Sequence, residues 1–212
     1  MFIVGLTGGI ASGKSFVVRY LKKLKIPSHD SDGAIDRLYK KPSKFFLKYL
    51  EKNNFGKAIN KGEINKSLIK EDIFNDEDKR KKIEFFLHKY VACQRKKFIK
   101  QTNKEKIIFL DIPLLFEKKL QIECDFICST VASLKTREKR ALQRRGMSKK
   151  LFKLIVKTQV KNKERMLNSN FIINTEGTRK KTYLQVDNMI YCVLSKKNER
   201  SSFRHRNNRP KL

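Results

Sequence analysis

The sequence predicts an α/β fold: a five-stranded parallel sheet flanked by helices. Three observations predict it. Short apolar runs alternate with helical patterns, the first run leads straight into a glycine-rich loop with a helix behind it, and the longest interval between runs is itself helical in pattern. The runs are Phe2-Ile3-Val4-Gly5-Leu6, a weaker one from Ile26 to His29, Ile107-Ile108-Phe109-Leu110, Phe126-Ile127-Cys128 and Phe171-Ile172-Ile173. Each is short and bounded by polar or turn-forming residues, as buried strands are.

After the first strand, Gly8-Gly9-Ile10-Ala11-Ser12-Gly13-Lys14-Ser15 satisfies G-x-x-x-x-G-K-[ST] at every required position. Phe16, Val17, Val18, Tyr20 and Leu21 then open a helix. Strand, motif and helix in register exclude a chance glycine-rich turn. Glycines let consecutive backbone N–H groups curl around a polyphosphate, and the helix N-terminus adds partial positive charge. Lys14 is placed to reach the β- and γ-phosphates of ATP, and the Ser15 hydroxyl to ligate Mg²⁺. Gly8, Gly9, Ala11, Ser12, Gly13 and Phe16 complete the expected ATP-binding set. The class is a P-loop NTPase, and the loop alone does not separate kinase from GTPase, motor or remodelling ATPase.

The second strand ends in His29-Asp30-Ser31-Asp32. Carboxylates at the C-terminal edge of a parallel sheet lie beside such a loop. Asp30 and Asp32 share one side of an extended segment, where one can cap the helix opened by Gly33-Ala34-Ile35 and the other can orient or deprotonate an acceptor hydroxyl. From about 33 to 105 the chain is far longer than one crossover needs, so a helical subdomain is expected there. Its clearest helix starts near Asn75, with Ile83, Phe86, Leu87, Tyr90 and Val91 at helical spacing. The charged stretch of about 135–165 contains Arg137, Arg140, Arg144, Arg145 and Arg165 and separates the last two strands. One P-loop domain over 1–198 is followed by a basic tail, 199–212, expected to be disordered.

Lys and Arg number 51 against 21 Asp and Glu, a formal charge of +30. Such an excess attracts polyanions, yet the basic residues are dispersed and accompanied by abundant Asn, Ile and Phe, which reads as AT-rich codon bias. The four cysteines, at 93, 124, 128 and 192, form no CxxC pair and are expected to be free thiols. No run approaches 18 apolar residues, and the N-terminus lacks the pattern of a secretory signal, so the expectation is a cytoplasmic protein without a membrane span. Nothing in the sequence speaks to oligomeric state.

Several motifs in order give the chain a resemblance to the dephospho-CoA kinases over about residues 2–195. Leu6-Thr7-Gly8-Gly9-Ile10-Ala11-Ser12-Gly13-Lys14-Ser15, Asp30-Ser31-Asp32 with Ile35-Asp36-Arg37, Ile73-Phe74 with Phe86-Leu87-His88, Pro113-Leu114-Leu115-Phe116-Glu117, Arg140-Ala141-Leu142-Gln143-Arg144, and Gln159 with Arg165 carry it. The resemblance implies transfer of the γ-phosphoryl of ATP to the 3′-hydroxyl of the dephospho-CoA ribose, the last step of coenzyme A synthesis. It implies Asp32 as general base, Asp30 supporting Mg²⁺ or the acceptor, and Arg140 stabilising the transferring phosphoryl with Arg144 beside it at the ATP. It further implies a kinase domain over 1–198, with about 33–105 as a helical substrate-binding insertion and about 135–165 as a lid. Pro113, Leu114 and Leu115 would form the wall near the acceptor, His88 would lie near the substrate, and Asp111 would be a carboxylate for water-bound Mg²⁺. The alternative for the arginines is a solvated helix face, and an ordinary loop entry would account for Asp111 equally. The chain departs from the family pattern at Phe16, where Thr is usual, at Ser28-His29, at Lys89 after His88, and at Ser169-Asn170 and Thr175 around the last strand. The rival readings are another small nucleoside or nucleotide kinase and an ATP-driven nucleic-acid-binding protein. The first lacks the D-x-D and P-L-L-F-E segments, and the second would cluster its basic residues with interleaved aromatics.

Overall fold

The computed structural model describes residues 1–206, with side chains through Lys196. The chain divides into two compact units, one of residues 1–29 and 102–212 and one of Asp30–Gln101.

The first unit carries a five-stranded parallel sheet in the order β2-β5-β1-β6-β7. Its strands are β1 (Phe2–Gly8), β2 (Ser28–Asp30), β5 (Ile107–Asp111), β6 (Phe126–Val131) and β7 (Phe171–Asn174). All five expected runs are strands. β1 lies at the centre, with Leu6 opposite Asp111 on one side and Gly8 opposite Thr130 on the other. Every residue of β5 is buried, as a strand covered on both faces requires. One face of the sheet packs Val4, Leu6, Phe109, Cys128 and Ile173 against Val17 and Leu21 of α1 (Lys14–Lys23) and Val186, Met189 and Val193 of α9 (Arg179–Arg206). The tail expected from 199 falls on this helix as far as Arg206 and beyond that lies outside the described residues.

Between β6 and β7 the chain forms α6 (Leu134–Leu142), α7 (Lys149–Thr158) and α8 (Asn162–Leu167). Ser133 and Ser148 cap α6 and α7 by accepting from Thr136 N and Leu151 N. Phe152 of α7 is almost fully buried with Ala141 and Ala11. Arg165 of α8 is fully buried. Its guanidinium donates to Thr7 Oγ1 at 3.2 Å, to Glu117 Oε1 at 3.2 Å and to the Val160 carbonyl at 3.3 Å. Thr7 Oγ1 in turn donates to the Pro113 carbonyl, and Glu117 Oε1 also accepts from Val160 N at 2.9 Å. One buried cation thus joins the end of β1, the loop after β5 and the start of α8.

The second unit holds α2 (Ser31–Lys40), α3 (Lys44–Lys52), α4 (Lys66–Asn75) and α5 (Glu77–Gln101) around Phe46, Leu50, Phe55, Ile69 and Ile83. Two features differ from the sequence expectation. Asn75 is the last residue of α4, and Asp76 starts the next helix by accepting from Lys79 N at 2.9 Å. A carboxylate is the stronger choice there, because it also complements the helix dipole. The unit is also not purely helical: β3 (Ile59–Asn60) and β4 (Glu63–Ile64) pair as a hairpin, turned by Lys61 and Gly62 at φ 48° and 82°. Two positive-φ residues between the strands suit the right-handed strand twist.

None of the four cysteines forms a disulfide; Cys128 is buried, and burial pushes its thiol up to about 12. Among the described residues no helix is long and apolar enough to cross a membrane.

The Arg165–Glu117 pair generates a stability prediction. Glu117→Ala leaves a fully buried guanidinium without its carboxylate and is expected to cost about 3 kcal/mol or more in urea unfolding. Combining Glu117→Gln with Arg165→Met removes both charges and is expected to recover a large part of that loss, because the desolvation cost disappears with the pair.

Candidate active site

The phosphate loop leaves β1 at Gly8 and enters α1 at Lys14, with Gly13 at φ 91° as the helix cap. That left-handed conformation demands glycine, and a Cβ there would in addition fall 2.8 Å from Thr175 Oγ1. Within the loop, Ser12 N bonds the Gly9 carbonyl at 3.0 Å. Its remaining support comes from side chains of other elements. Ser12 Oγ shares a hydrogen bond of 2.7 Å with Thr130 Oγ1, and Thr175 Oγ1 donates to the Ser12 carbonyl at 2.8 Å. Ile10 is held from both ends of its peptide: its N–H donates to Gln159 Oε1 at 2.8 Å, and its carbonyl accepts Arg137 Nε at 2.9 Å.

Lys14 forms an ion pair with Asp111 at the end of β5, and both side chains are largely shielded from water. Ser15 is exposed at the first turn of α1. The loop N–H groups, the Lys14 ammonium, the Ser15 hydroxyl and the Asp111 carboxylate therefore belong to one face of the sheet's carboxyl edge, where adjacent strands β1 and β5 end.

Beside the loop lies a cavity of about 290 Å³ lined by Phe16, Arg140, Arg144, Thr175, Gly177 and Arg179, among others. Arg140 donates to Thr175 Oγ1 at 2.9 Å and to the Thr175 carbonyl at 2.6 Å, so it spans from α6 to the turn after β7. Phe16 stacks on Tyr183 at 5.1 Å, and Tyr183 on Tyr20 at 4.0 Å, which fixes an aromatic wall at one side. The Asn174 side chain accepts from Glu176 N at 2.9 Å and shapes that turn. Glu176 is held below the usual carboxylate range by hydrogen bonds from Ser133 and Thr136.

The expected acceptor wall divides. Pro113 is half-buried and Leu114 is exposed, whereas Leu115 is fully buried, its Cδ1 2.6 Å from where a Cβ on Gly5 would lie. Leu115 therefore roots the loop in the core instead of lining its surface.

In the second unit, Asp30 is the N-cap of α2, accepting from Gly33 N at 2.9 Å, and Asp32 is exposed in the first turn of that helix. One carboxylate of the pair caps, as the spacing allowed, and the other faces solvent. His88 is exposed on α5, which continues unbroken through Lys89.

Sequence reasoning missed Thr130 and the supporting role of Thr175, because a threonine at a strand end carries no pattern of its own. Arg137 was legible only as one arginine in a charged stretch. Gln159 and Arg165 were marked by motif order, without a partner for either.

Comparison with known proteins follows the same lines. The family model for dephospho-CoA kinase, CoaE, matches residues 2–181. A dephospho-CoA kinase of Bartonella quintana strain Toulouse is 34% identical over 196 residues, covering 92% of this chain and 99% of the relative. One of the Brugia malayi Wolbachia is 32% identical over 190 residues, covering 89% and 96%. Among solved structures, TT1252 from Thermus thermophilus superposes with a TM-score of 0.72 at 24% identity, covering 92% of this chain and 97% of that one. A dephospho-CoA kinase from Campylobacter jejuni gives 0.67 at 20%, covering 92% and 98%. At those identities the two structures speak for the fold, and the family model and sequence relatives speak for the lineage. With its phosphate loop intact and the match running through nearly the whole sheet unit, the chain belongs to the dephospho-CoA kinase family.

Proposed function

We propose that this chain transfers the γ-phosphoryl of ATP to the 3′-hydroxyl of the ribose of dephospho-CoA, giving coenzyme A and ADP. The observation that carries the reading is a complete phosphate loop, with Lys14 paired to Asp111, in a chain matched by the dephospho-CoA kinase model over residues 2–181. The charge arrangement supports phosphoryl transfer. Without nucleotide, Lys14 is neutralised by Asp111. An incoming polyphosphate competes for the ammonium, so Lys14 turns to the β- and γ-oxygens and the Asp111 carboxylate is released.

The residues present suit Mg²⁺ as the companion ion. Mg²⁺ takes one or two protein oxygens and completes its shell with phosphate and water, and among the described residues no three His, Cys, Asp or Glu form a metal cage. Ser15 Oγ is the proposed direct ligand, with the Asp111 carboxylate accepting from the ion's waters. When bound, the ion would offset the negative charge that develops during transfer.

The cavity of Phe16, Arg140, Arg144 and Arg179 suits the nucleoside end of ATP: an aromatic wall for stacking and guanidiniums for ribose and phosphate. Arg140 and Arg144 are the proposed lid arginines of the stretch 135–165, the first held ready by Thr175. Asp32 is the proposed general base, supported by its exposure in the first turn of α2 and by the commitment of Asp30 to the cap. Asp30 then serves the acceptor by fixing that turn. Exposed Leu114, Pro113 and His88 are the proposed acceptor contacts.

A coupled ADP-release assay with MgATP is expected to show turnover with dephospho-CoA and none above background with adenosine or AMP. Turnover with adenosine or AMP instead would keep phosphoryl transfer and overturn the acceptor. Lys14→Ala is expected to abolish productive ATP use, and wild-type ATP affinity and rate in that variant would sink the role of the loop. Asp32→Asn is expected to retain nucleotide affinity while turnover falls by about 100-fold or more. Wild-type turnover in that variant would remove Asp32 as the base.

A further inference from the structure

Two buried cations, Arg137 and Arg165, and the partly buried Lys14 stand at or behind the phosphate loop, and they differ in what neutralises them. Lys14 has Asp111 and Arg165 has Glu117. Arg137 of α6 is only 5% exposed, yet every hydrogen-bond partner of its guanidinium is a neutral oxygen. Nε donates to the Ile10 carbonyl at 2.9 Å, Nη1 to Asn162 Oδ1 at 3.2 Å and Nη2 to Gln159 Oε1 at 3.5 Å. The group lies directly against the loop, since a Cβ on Gly9 would fall 2.5 Å from Nη2. A side chain at position 9 would have to displace this guanidinium. Burial and the like charge of Arg165 both pull the Arg137 guanidinium below its ordinary value.

Buried cations are costly unless a counter-charge meets them. A purely mechanical prop for Ile10 could be made by a neutral donor at no such cost. A retained charge makes sense where an anion arrives periodically, and the loop Arg137 touches is built to receive one. We propose that Arg137 is a fixed positioning cation of the phosphate loop, whose charge stays unneutralised in the nucleotide-free protein and is compensated by the polyphosphate of the bound donor. The inference rests on the reading that this loop takes a nucleoside triphosphate. It assigns Arg137 a part distinct from Lys14, which must exchange one partner for another, and from Arg140, which spans to Thr175. Arg137 exchanges nothing: its bonds to Ile10, Gln159 and Asn162 keep the Gly9–Ile10 turn in place while its field favours the anion.

The test compares the full-length wild type, Arg137→Gln and Arg137→Lys. Calorimetry measures their binding of MgATP and of inorganic tripolyphosphate, and thermal unfolding is followed without ligand. Glutamine keeps a donor for Ile10 and removes the charge; lysine keeps the charge and loses the fork. Arg137→Gln is expected to bind both ligands at least about tenfold more weakly, a loss of the size of one charge-assisted interaction. Its unfolding midpoint without ligand is expected not to fall, because an unneutralised buried charge has been removed. Arg137→Lys is expected to recover most of the tripolyphosphate affinity. Unaltered affinity in Arg137→Gln overturns the proposal. So does a lowered ligand-free midpoint in that variant, or its failure to fold, since either outcome marks Arg137 as a structural prop. A wild type that binds neither ligand overturns the donor reading itself, whereas a binding wild type with an equally tight Arg137→Gln overturns this inference alone.

Discussion

The phosphate loop is the constraint on which the rest of the first unit depends. To receive a polyphosphate, its N–H groups must converge on open space, so they cannot all be spent on bonds within the loop. A segment arranged in that way has little to hold it from inside. Its geometry must come from outside, and the neighbouring elements are placed to provide it: Thr130 from β6, Thr175 after β7, Gln159 after α7 and Arg137 from α6. The parallel sheet matters because it brings the carboxyl ends of β1, β5, β6 and β7 to one edge, where side chains distant in sequence can meet at one loop.

This division explains what the sequence could disclose. Gly8 to Ser15 was readable because the motif encodes backbone requirements at fixed spacing, and backbone requirements are local. The strands were readable because burial on both faces leaves uninterrupted apolar runs such as Ile107 to Leu110. The supporting residues were not readable in the same way. Thr175 lies 163 positions from Ser12 and Gln159 lies 149 from Ile10, so only the folded chain pairs them. Helix boundaries failed where two good caps stood side by side: Asn75 and Asp76 both qualify, and the structure uses the one whose charge also suits the helix dipole. The hairpin of Ile59–Asn60 and Glu63–Ile64 is too short to generate an alternating pattern, and only its Lys61-Gly62 turn hinted at it.

The stretch 135–165, expected to act as a lid, is fastened near both ends. Arg137 is bonded to the loop and Arg165 to Thr7 and Glu117, and both guanidiniums are buried. Swinging the whole stretch as one body would expose two charges' worth of broken hydrogen bonds. Between the fastenings, α7 is attached chiefly through Phe152, which packs with Ala141 and the loop residue Ala11. Through Phe152 and Ala11, α7 thus packs directly on the phosphate loop. A closing movement that excludes water is needed in any kinase that must transfer to an alcohol and not to water.

The basic residues acquire meaning only when sorted by environment. With 51 Lys and Arg dispersed along the chain, abundance says little about partners. Exposed cations such as Arg80 and Lys81 on α5 pair loosely with Glu77 and gain little from it. Burial changes the account, because each charge then needs a specific answer. Arg165 finds Glu117 and becomes structural; Lys14 finds Asp111 and can be drawn away by a stronger anion; Arg137 finds only neutral oxygens. A cation with a permanent partner makes the fold depend on that partner, and a cation with an exchangeable or absent one leaves its charge for an arriving anion. The same side-chain type thus separates into scaffold and site according to whether the protein supplies the negative charge or leaves that to the nucleotide.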